Sequence, residues 1–227
     1  MNYFDDYKEL EQAIGYEFSD KNLLKLALTH SSYSNEIKIN KYGNYERIEF
    51  LGDSVLELMS SLFLYKTYPE KNEGELTRLR SSMVCEQALA YCAREFDLPK
   101  YILLGKGEEN TGGRERDSII SDVFEALLGA IYLDGGFECA NRFVITHVLK
   151  DLENKQLFYD AKTILQERVQ KKGSVLRYEL VGEEGPDHAK VFTVNALVDD
   201  VVVSTGSGKS KKAAEQQAAY TELLKKN

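Results

Sequence analysis

The spacing of the apolar residues changes once along the chain, and this change limits the folds that the chain can adopt. From Tyr7 to about Leu152 the apolar residues recur mostly every three or four positions, as they do on one face of a helix. Prolines are scarce there, and no run alternates convincingly between apolar and polar residues. The pattern predicts a mostly α-helical domain, with breaks near residues 35–42, 68–74, 105–113 and 134–136.

Runs rich in β-formers replace the helical pattern beyond residue 159. One helix is predicted over residues 160–172, with Asp160 as its N-cap and Gly173 as its stop. Strands are predicted over 175–181, 191–198 and 201–205, with turns at 183–188 and 199–200, and 206–210 leads into a closing helix over 211–224. We therefore predict a multi-domain chain: an all-α domain over 1–152, a linker over 153–159, and a small α+β domain of order α-β-β-β-α over 160–227.

The charge of the chain is distributed unevenly between these two parts. The formal net charge is -8, which is unusual for a protein that binds nucleic acid. Residues 160–227 hold 11 Lys and Arg against 10 Asp and Glu, whereas residues 1–159 hold 18 against 27. The acidic surface of the larger part would repel phosphate unless metal ions intervene or the smaller part holds the polyanion.

The cysteines and the first thirty residues predict where the protein works. The three cysteines form no CxxC pair, which favours reduced thiols in the cytoplasm over a disulfide framework or a zinc site. The first thirty residues carry acids where a signal peptide would carry positive charge, and no apolar run reaches the length of a membrane span. We expect a cytoplasmic protein without a membrane partner.

The most informative segment is an amphipathic helix predicted over residues 44–65. Its apolar face is predicted to contain Ile48, Leu51, Val55, Leu58, Met59 and Leu62. Four acids, Glu46, Glu49, Asp53 and Glu57, lie opposite, within about 80° of each other on the helical wheel. Such a charge run is usually a solvated surface. Here no basic residue on that face offsets the repulsion, and Phe50 lies beside the acids, which suggests a partner surface.

A second acidic pair lies on another helix, predicted over residues 118–134. Phe124, Leu127, Leu128 and Ile131 form its predicted core face, and Asp122 and Glu125 share the opposite side. If the two helices pack together, Glu49, Asp53, Asp122 and Glu125 converge, and four carboxylates so close need a counter-charge. Mg²⁺ and Mn²⁺ prefer such oxygen ligands and can activate water for phosphodiester hydrolysis.

Longer motifs resemble a known family. The block ERIEFLGDSVL (46–56) closely resembles the signature of the ribonuclease III catalytic domain. The agreement extends through LTHSS (28–32), NEGELTRLR (72–80), LGKGEE (104–109), GGR (112–114) and SDVFEALLGAIYLDGG (121–136). The remainder of the chain resembles a double-stranded-RNA-binding domain, so the resemblance covers nearly all of it.

The resemblance implies a function and assigns roles to particular residues. It implies a homodimeric, Mg²⁺-dependent endoribonuclease, with Mn²⁺ as a substitute and no small-molecule cofactor. The enzyme would cut double-stranded RNA to staggered ends with 5′-phosphate and 3′-hydroxyl, in the processing and decay of rRNA precursors and mRNA. Metal-binding positions match Glu49, Asp53, Asp122 and Glu125, and of these Asp53 and Glu125 are the catalytic pair. Less direct roles fall on Glu46 and Glu73, which match acids near the active site, and on Phe50, which matches an aromatic inserted into the partner subunit.

The C-terminal part carries the predicted RNA contacts. Lys209, Lys211 and Lys212 surround the start of the closing helix, where backbone N–H groups and the helix dipole favour phosphate. Without the resemblance, a capped and solvated basic helix start would be the simpler interpretation. His188 matches a loop that enters an RNA minor groove, and Thr163 and Gln166 match contacts to a neighbouring groove. Such binding reads A-form shape rather than base sequence.

Other interpretations of the same residues remain open at this point. A non-catalytic binder of double-stranded RNA would be expected to have lost some of the four carboxylates, and all are present. A metal-dependent phosphohydrolase of nucleotides would have no use for the C-terminal domain. The run His30-Ser31-Ser32 could suggest nucleophilic catalysis, but no partner acid is identifiable, and packing or helix capping is the preferred interpretation. The cysteines are predicted to be core residues.

Overall fold

The computed structural model describes residues 3–37, 43–150, 161–185, 190–208 and 210–225, with side chains from residue 7 onward. The chain forms two compact units, Met1–Lys150 and Asp151–Asn227. The predicted linker over 153–159 and the predicted N-cap Asp160 lie outside the described residues. The proposed domain boundaries therefore stay predictions, and each unit is described by itself.

The described part of the N-terminal unit is helical, apart from a parallel β-bridge between Thr29 and Leu103. Among the described residues of both units, no helix is both long enough and apolar enough to cross a bilayer. The helices are α1 (Tyr3–Ile14), α2 (Lys21–Ala27), α3 (Ser31–Glu36), α4 (Glu46–Thr67), α5 (Glu73–Met83), α6 (Glu86–Arg94), α7 (Leu98–Tyr101), α8 (Lys106–Asn110) and α9 (Asp117–His147), with a 3₁₀ turn at Gly113–Glu115.

Helix α9 forms the centre of the N-terminal unit. Most of its residues from Ile119 to Ile131 are buried, so this part of the helix is surrounded by protein, whereas Phe137 and Ile145 further along are exposed. The predicted core residues Phe124, Leu127, Leu128 and Ile131 are fully buried. The predicted break at 134–136 is present as a kink, because Gly136 adopts φ 75° and ψ -169°. A second helical segment follows this kink and ends at His147, so the predicted end of the first segment near residue 134 is confirmed.

Two glycines let α4 and α9 pack with their backbones close together. A Cβ on Gly52 would overlap the carbonyl oxygen of Glu125, and one on Gly129 would lie 2.5 Å from the carbonyl oxygen of Ile48. Any larger residue at this crossing would push the helices apart. The crossing lies next to Glu49 and Asp53 on α4, and Glu125 lies one turn before Gly129 on α9, so the backbone itself fixes how these segments face each other.

The predicted core face of α4 was partly wrong. Ile48, Val55 and Met59 are buried as expected, whereas Leu58 is 59% exposed. Leu56 and Leu64 are buried instead, because α5 covers α4 on a second side in addition to α9. A single apolar stripe on a helical wheel does not describe a helix that is packed on two sides.

Polar caps define several of the remaining helix ends. Asn72 and Glu75 form a capping box at the start of α5, with reciprocal hydrogen bonds of 3.0 Å. The predicted break at 105–113 contains the one-turn helix α8, so an irregular segment was the wrong expectation there. Cys92 is buried as predicted, whereas Cys85 and Cys139 are only half-buried, and all three are free thiols.

The C-terminal unit is a three-stranded antiparallel sheet packed against two helices. The elements are α10 (Ala161–Lys171), β1 (Leu176–Glu184), β2 (Val191–Val198), β3 (Val201–Gly208) and α11 (Lys211–Leu224). Helix α11 lies on β2 and β3 and contacts α10, and the sheet order is β1-β2-β3. The core comprises Ala161, Leu165, Val169, Leu176, Ala219 and Leu223. The predicted α-β-β-β-α order is confirmed, and Gly173 ends α10 with φ 74°.

Two strands extend further than predicted. Strand β1 continues through Glu183 and Glu184, which were assigned to a turn, and it carries a register shift between Leu180 and Gly182. Strand β3 continues to Gly208 rather than ending at Thr205. Gly206 belongs to this strand because a Cβ there would overlap the backbone of α11 at Ala218, so glycine permits close packing instead of marking a loop.

Candidate active site

The four predicted carboxylates of α4 and α9 influence one another electrostatically. Burial, together with the negative charges of Asp122, Glu46 and Asp53, raises the pKa of Glu49 to about 7. Glu49 lies in the first turn of α4 and Asp122 in the second turn of α9, so acids from two helices share one region. The two helices therefore bring acids close enough to affect one another, and the role of the four as metal ligands stays a prediction.

Glu125 carries the larger perturbation. Burial raises its pKa to about 8, and the charges of Asp53, Asp122 and Glu49 act in the same direction. A carboxyl with that pKa holds a proton at neutral pH unless a cation replaces it. Ionising Glu125 therefore adds a negative charge beside other acids, and a bound cation would favour that ionised form.

The chemistry of this set of side chains fits a hard divalent cation. All four groups offer carboxylate oxygens, the ligands that Mg²⁺ and Mn²⁺ prefer. Within the described residues, no three His, Cys, Asp or Glu side chains stand close enough together to make a preformed metal cage. Mg²⁺ commonly keeps several waters and uses one or two carboxylates together with substrate phosphates, which suits an open arrangement of this kind.

Asp122 has a hydrogen-bond partner that the sequence did not suggest. The hydroxyl of Tyr45 donates to Asp122 Oδ2 at 3.4 Å, and the Tyr45 ring contacts His30 with 5.6 Å between centroids. Burial raises the pKa of Asp122, and the Tyr45 hydrogen bond opposes that rise. Tyr45 lay within the helix predicted over residues 44–65 but was assigned to neither of its faces, and in the structure it precedes α4 as its N-cap. Only its place beside the acidic block could have drawn attention to it.

His30 is a helix cap rather than a catalytic base. Its Nδ1 accepts from the backbone N–H of Ser32 at 3.2 Å and lies 2.7 Å from the Ser32 hydroxyl, at the start of α3. Burial lowers the pKa of His30, although the charges of Glu108, Asp122 and Glu46 oppose this. The structure thus favours the capping interpretation of the His30-Ser31-Ser32 run over nucleophilic catalysis.

The remaining predicted residues of this unit have different surroundings, and the contact given for Glu73 lies within its own helix and not at the four carboxylates. Glu46 is exposed and adds to the negative field at Glu49. Glu73, the first residue of α5, accepts from the hydroxyl of Thr77 at 3.0 Å on its own helix. Glu57 of the same acidic face pairs with Arg80 at 2.9 Å. Phe50 projects from α4 with 77% of its surface exposed, a large apolar group left uncovered in the single chain.

The predicted RNA contacts of the C-terminal unit can be placed in part. On α10, Thr163 is exposed and Gln166 is half-buried, one turn apart. Lys211 and Lys212 are exposed in the first turn of α11, directly after the N-cap Ser210, whose side chain accepts from the N–H of Ala213 at 3.1 Å. His188 and Lys209 lie outside the described residues.

Two protein families match the chain over these two units. Residues 20–152 match the Ribonuclease-III-like family, and residues 161–225 match the double-stranded RNA binding motif. Together with the fold and the carboxylates, these matches define a nuclease domain joined to a domain that binds double-stranded RNA. Because the nuclease match covers more than half of the chain, the chain belongs to the ribonuclease III family. It is accordingly an endoribonuclease of double-stranded RNA.

Individual relatives extend this result over nearly the whole length. The chain is 51% identical over 221 residues to the Ribonuclease 3 of Caldanaerobacter subterraneus subsp. tengcongensis, covering 95% of this chain and 96% of the relative. It is 47% identical over 219 residues to that of Streptococcus thermophilus, with 95% and 96% covered. A solved nuclease domain of ribonuclease III from Campylobacter jejuni is 43% identical with a TM-score of 0.58, covering 63% of this chain and 96% of that one. That domain is described as flexible in a region involved in dimer formation.

Proposed function

We propose that the chain cleaves double-stranded RNA with Mg²⁺ held by Glu49, Asp53, Asp122 and Glu125, and that Mn²⁺ can replace Mg²⁺. The observation that carries this proposal is the grouping of acids from α4 and α9, where burial together with the neighbouring negative charges raises the pKa of Glu49 to about 7 and of Glu125 to about 8. Structural ion pairs satisfy their acids, as Arg80 does for Glu57. The set formed by α4 and α9 has excess negative charge instead, and this favours a cation.

The reaction is hydrolysis at phosphorus. A bound divalent cation supplies Lewis-acid activation of water and neutralises charge on the phosphate. Water oxygen forms a new bond to phosphorus while the bond from phosphorus to the 3′ oxygen breaks, which leaves a 5′-phosphate and a 3′-hydroxyl. Asp53 and Glu125 act nearest the reacting phosphate, Glu49 and Asp122 complete the ligand set, and Glu46 and Glu73 have secondary roles nearby.

The active form is a homodimer in this proposal. Phe50 is 77% exposed on the helix that carries Glu49 and Asp53, so a subunit contact there would lie beside the metal site. Two sites, each cutting one strand, would produce staggered ends. Replacing Phe50 by Ala should shift the sedimentation coefficient towards the monomer, whereas Ala at the exposed Ile145 of α9 should not. A dimer that survives the Phe50 substitution at micromolar concentration would contradict this role.

The C-terminal domain supplies RNA binding. Thr163, Gln166, Lys211 and Lys212, together with His188 and Lys209, would contact successive grooves and phosphates of A-form RNA. Recognition by shape suits structured rRNA precursors and mRNAs as substrates, and the free thiols suit work in the cytoplasm.

The deciding experiment measures cleavage by the protein of an end-labelled RNA duplex, its single strand and the matching DNA duplex, each in Mg²⁺, Mn²⁺ or EDTA. We expect endonucleolytic cutting of the RNA duplex alone, lost in EDTA and lost in Glu125→Gln, with duplex binding nearly unchanged. Glu138→Gln is the matched control, since Glu138 is an exposed acid on the same helix. A Glu125→Gln protein that cuts at the normal rate would refute the site. Tight binding without cutting in either metal would instead support a non-catalytic RNA adaptor.

A further inference from the structure

Tyr45 is connected to both helices that carry the proposed ligands. Its side chain is 4% exposed at the start of α4. Its carbonyl oxygen accepts from the N–H of Ile48 at 2.8 Å and from the N–H of Glu49 at 2.9 Å. Its own N–H donates to the carbonyl of Thr29 at 2.9 Å. The backbone of Tyr45 therefore fixes the position of Glu49 in the first turn of α4.

The side chain of Tyr45 reaches the other helix. Its hydroxyl donates to Asp122 Oδ2, 77 residues further along the chain. The ring packs against His30, and the N–H of His30 is held by the carbonyl of Leu103 at 3.1 Å. The ring of Tyr45 is thus packed against a residue whose backbone is hydrogen-bonded in place, so its hydroxyl is presented to Asp122 from a fixed position.

The hydrogen bond between the Tyr45 hydroxyl and Asp122 is long. At 3.4 Å it exceeds the usual distance for an O–H to oxygen bond, so it is weak as it stands. Hydrogen bonds around catalytic groups are often long before ligands bind and shorten afterwards. A loosely held Asp122 can turn one oxygen towards a cation while the other oxygen keeps the Tyr45 hydroxyl.

We propose that Tyr45 is a positioning residue for the metal site, holding Glu49 through its backbone and Asp122 through its hydroxyl so that ligands from two helices face one cation. Outer hydrogen bonds of this kind orient metal-binding carboxylates, and their loss typically weakens metal binding by about 10- to 100-fold. The inference depends on the ligand set proposed above. It assigns Tyr45 no contact with substrate or with the reacting atoms.

Tyr45→Phe removes the hydroxyl and keeps both the ring packing and the backbone bonds. The chain offers a closely matched control in Tyr16, whose hydroxyl donates to Asp134 Oδ2 at 2.7 Å, also on α9. Tyr16→Phe removes the same chemical group and the same kind of bond at a position outside the proposed site. Both variants are compared as full-length proteins, below their unfolding temperatures.

The main measurement is Mn²⁺ binding to the protein without RNA, by electron paramagnetic resonance of the free ion. We expect Tyr45→Phe to weaken binding about tenfold, near the lower end of the usual range because the bond is long, and to raise the Mg²⁺ concentration for half-maximal cleavage similarly. Tyr16→Phe should bind Mn²⁺ like the unmodified protein, even where its unfolding temperature falls. RNA binding in Ca²⁺ should be the same in both variants.

The possible results test the role of Tyr45 and the proposed ligand set separately. Unchanged Mn²⁺ binding in Tyr45→Phe would overturn the inference, and so would equal weakening in both tyrosine variants, because the effect would then be one of general stability. Asp122→Asn tests the ligand set separately. If it too leaves Mn²⁺ binding unchanged, the proposed metal site is wrong; if it abolishes binding while Tyr45→Phe has no effect, only the role of Tyr45 is refuted.

Discussion

Replacing Glu125 by Gln should make the metal-free protein more stable while it abolishes cleavage. Burial and the neighbouring acids raise the pKa of Glu125 from 4.5 to about 8. The folded protein therefore holds this proton more tightly than the unfolded chain does. Raising the pH from about 4.5 through about 8 ionises the group and takes away stability, so the penalty is complete only above pH 8. Gln removes that penalty because it carries no charge.

The size of the effect follows from the same pKa. One pKa unit corresponds to about 1.36 kcal/mol, so the difference between 4.5 and about 8 sets an upper bound of roughly 5 kcal/mol. Water reaches this partly buried side chain and screens it, which leaves about 1–2 kcal/mol. For a protein of this size, 1 kcal/mol moves the unfolding temperature by about 2–4 °C, so we expect a gain of roughly 2–8 °C.

The assay is differential scanning calorimetry in EDTA at pH 9 and at pH 5. Glu125→Gln should unfold at a higher temperature than the unmodified protein at pH 9, with most of the difference gone at pH 5. Glu138→Gln, on the exposed part of the same helix, should show no such pH-dependent gain. Adding Mg²⁺ should stabilise the unmodified protein more than the Gln variant. A Gln variant that is no more stable at pH 9 would refute the claim that Glu125 carries an unneutralised charge.

Other substitutions and conditions should give equally specific results. Gly52→Ala should lower the free energy of unfolding by roughly 3 kcal/mol or more and abolish cleavage, since its Cβ overlaps a backbone carbonyl of α9. Gly74→Ala, where the nearest atom is 3.5 Å away, should unfold and cut normally. Lys211→Ala combined with Lys212→Ala should reduce the slope of log binding constant against log salt by about 2, measured by filter binding; an unchanged slope would exclude phosphate contacts there. At low Mg²⁺, cleavage should rise from pH 6 to 9, because protons leave carboxyls with pKa values of about 7 and about 8 and the cation competes with them. Saturating Mg²⁺ should flatten this rise, and identical profiles at both concentrations would contradict the competition.

The helical periodicity of the sequence was sufficient to predict that acids of α4 and α9 lie close together. An amphipathic α4 must turn its apolar side to the core, which leaves Glu49 and Asp53 on the other side. In α9, Asp122 and Glu125 interrupt a run that is otherwise apolar, and such interruptions indicate a site. The resemblance to ribonuclease III named the same acids from independent motifs. These are local properties of single helices, and local properties are what a sequence shows directly.

Features that depend on contacts distant in sequence could not be predicted in this way. Tyr45 reaches Asp122 only because the start of α4 packs beside α9. Leu56 and Leu64 are buried where Leu58 was expected to be, and α4 contacts α5 as well as α9. Gly206 was assigned to a loop from its residue type, whereas the close approach of α11 explains why glycine occurs within β3. In each case the deciding partner lies on a different element.

The burial of α9 has a consequence for how the site responds to local opening of the protein. Catalytic residues commonly lie on loops that open more easily than the core beneath them. Here Asp122 and Glu125 belong to a helix whose neighbouring residues, among them Phe124 and Leu127, are fully buried. Amide hydrogens of this segment should therefore exchange with solvent only when the whole unit unfolds. A partly unfolded molecule could keep its RNA-binding domain intact, yet it would hold RNA without cutting it.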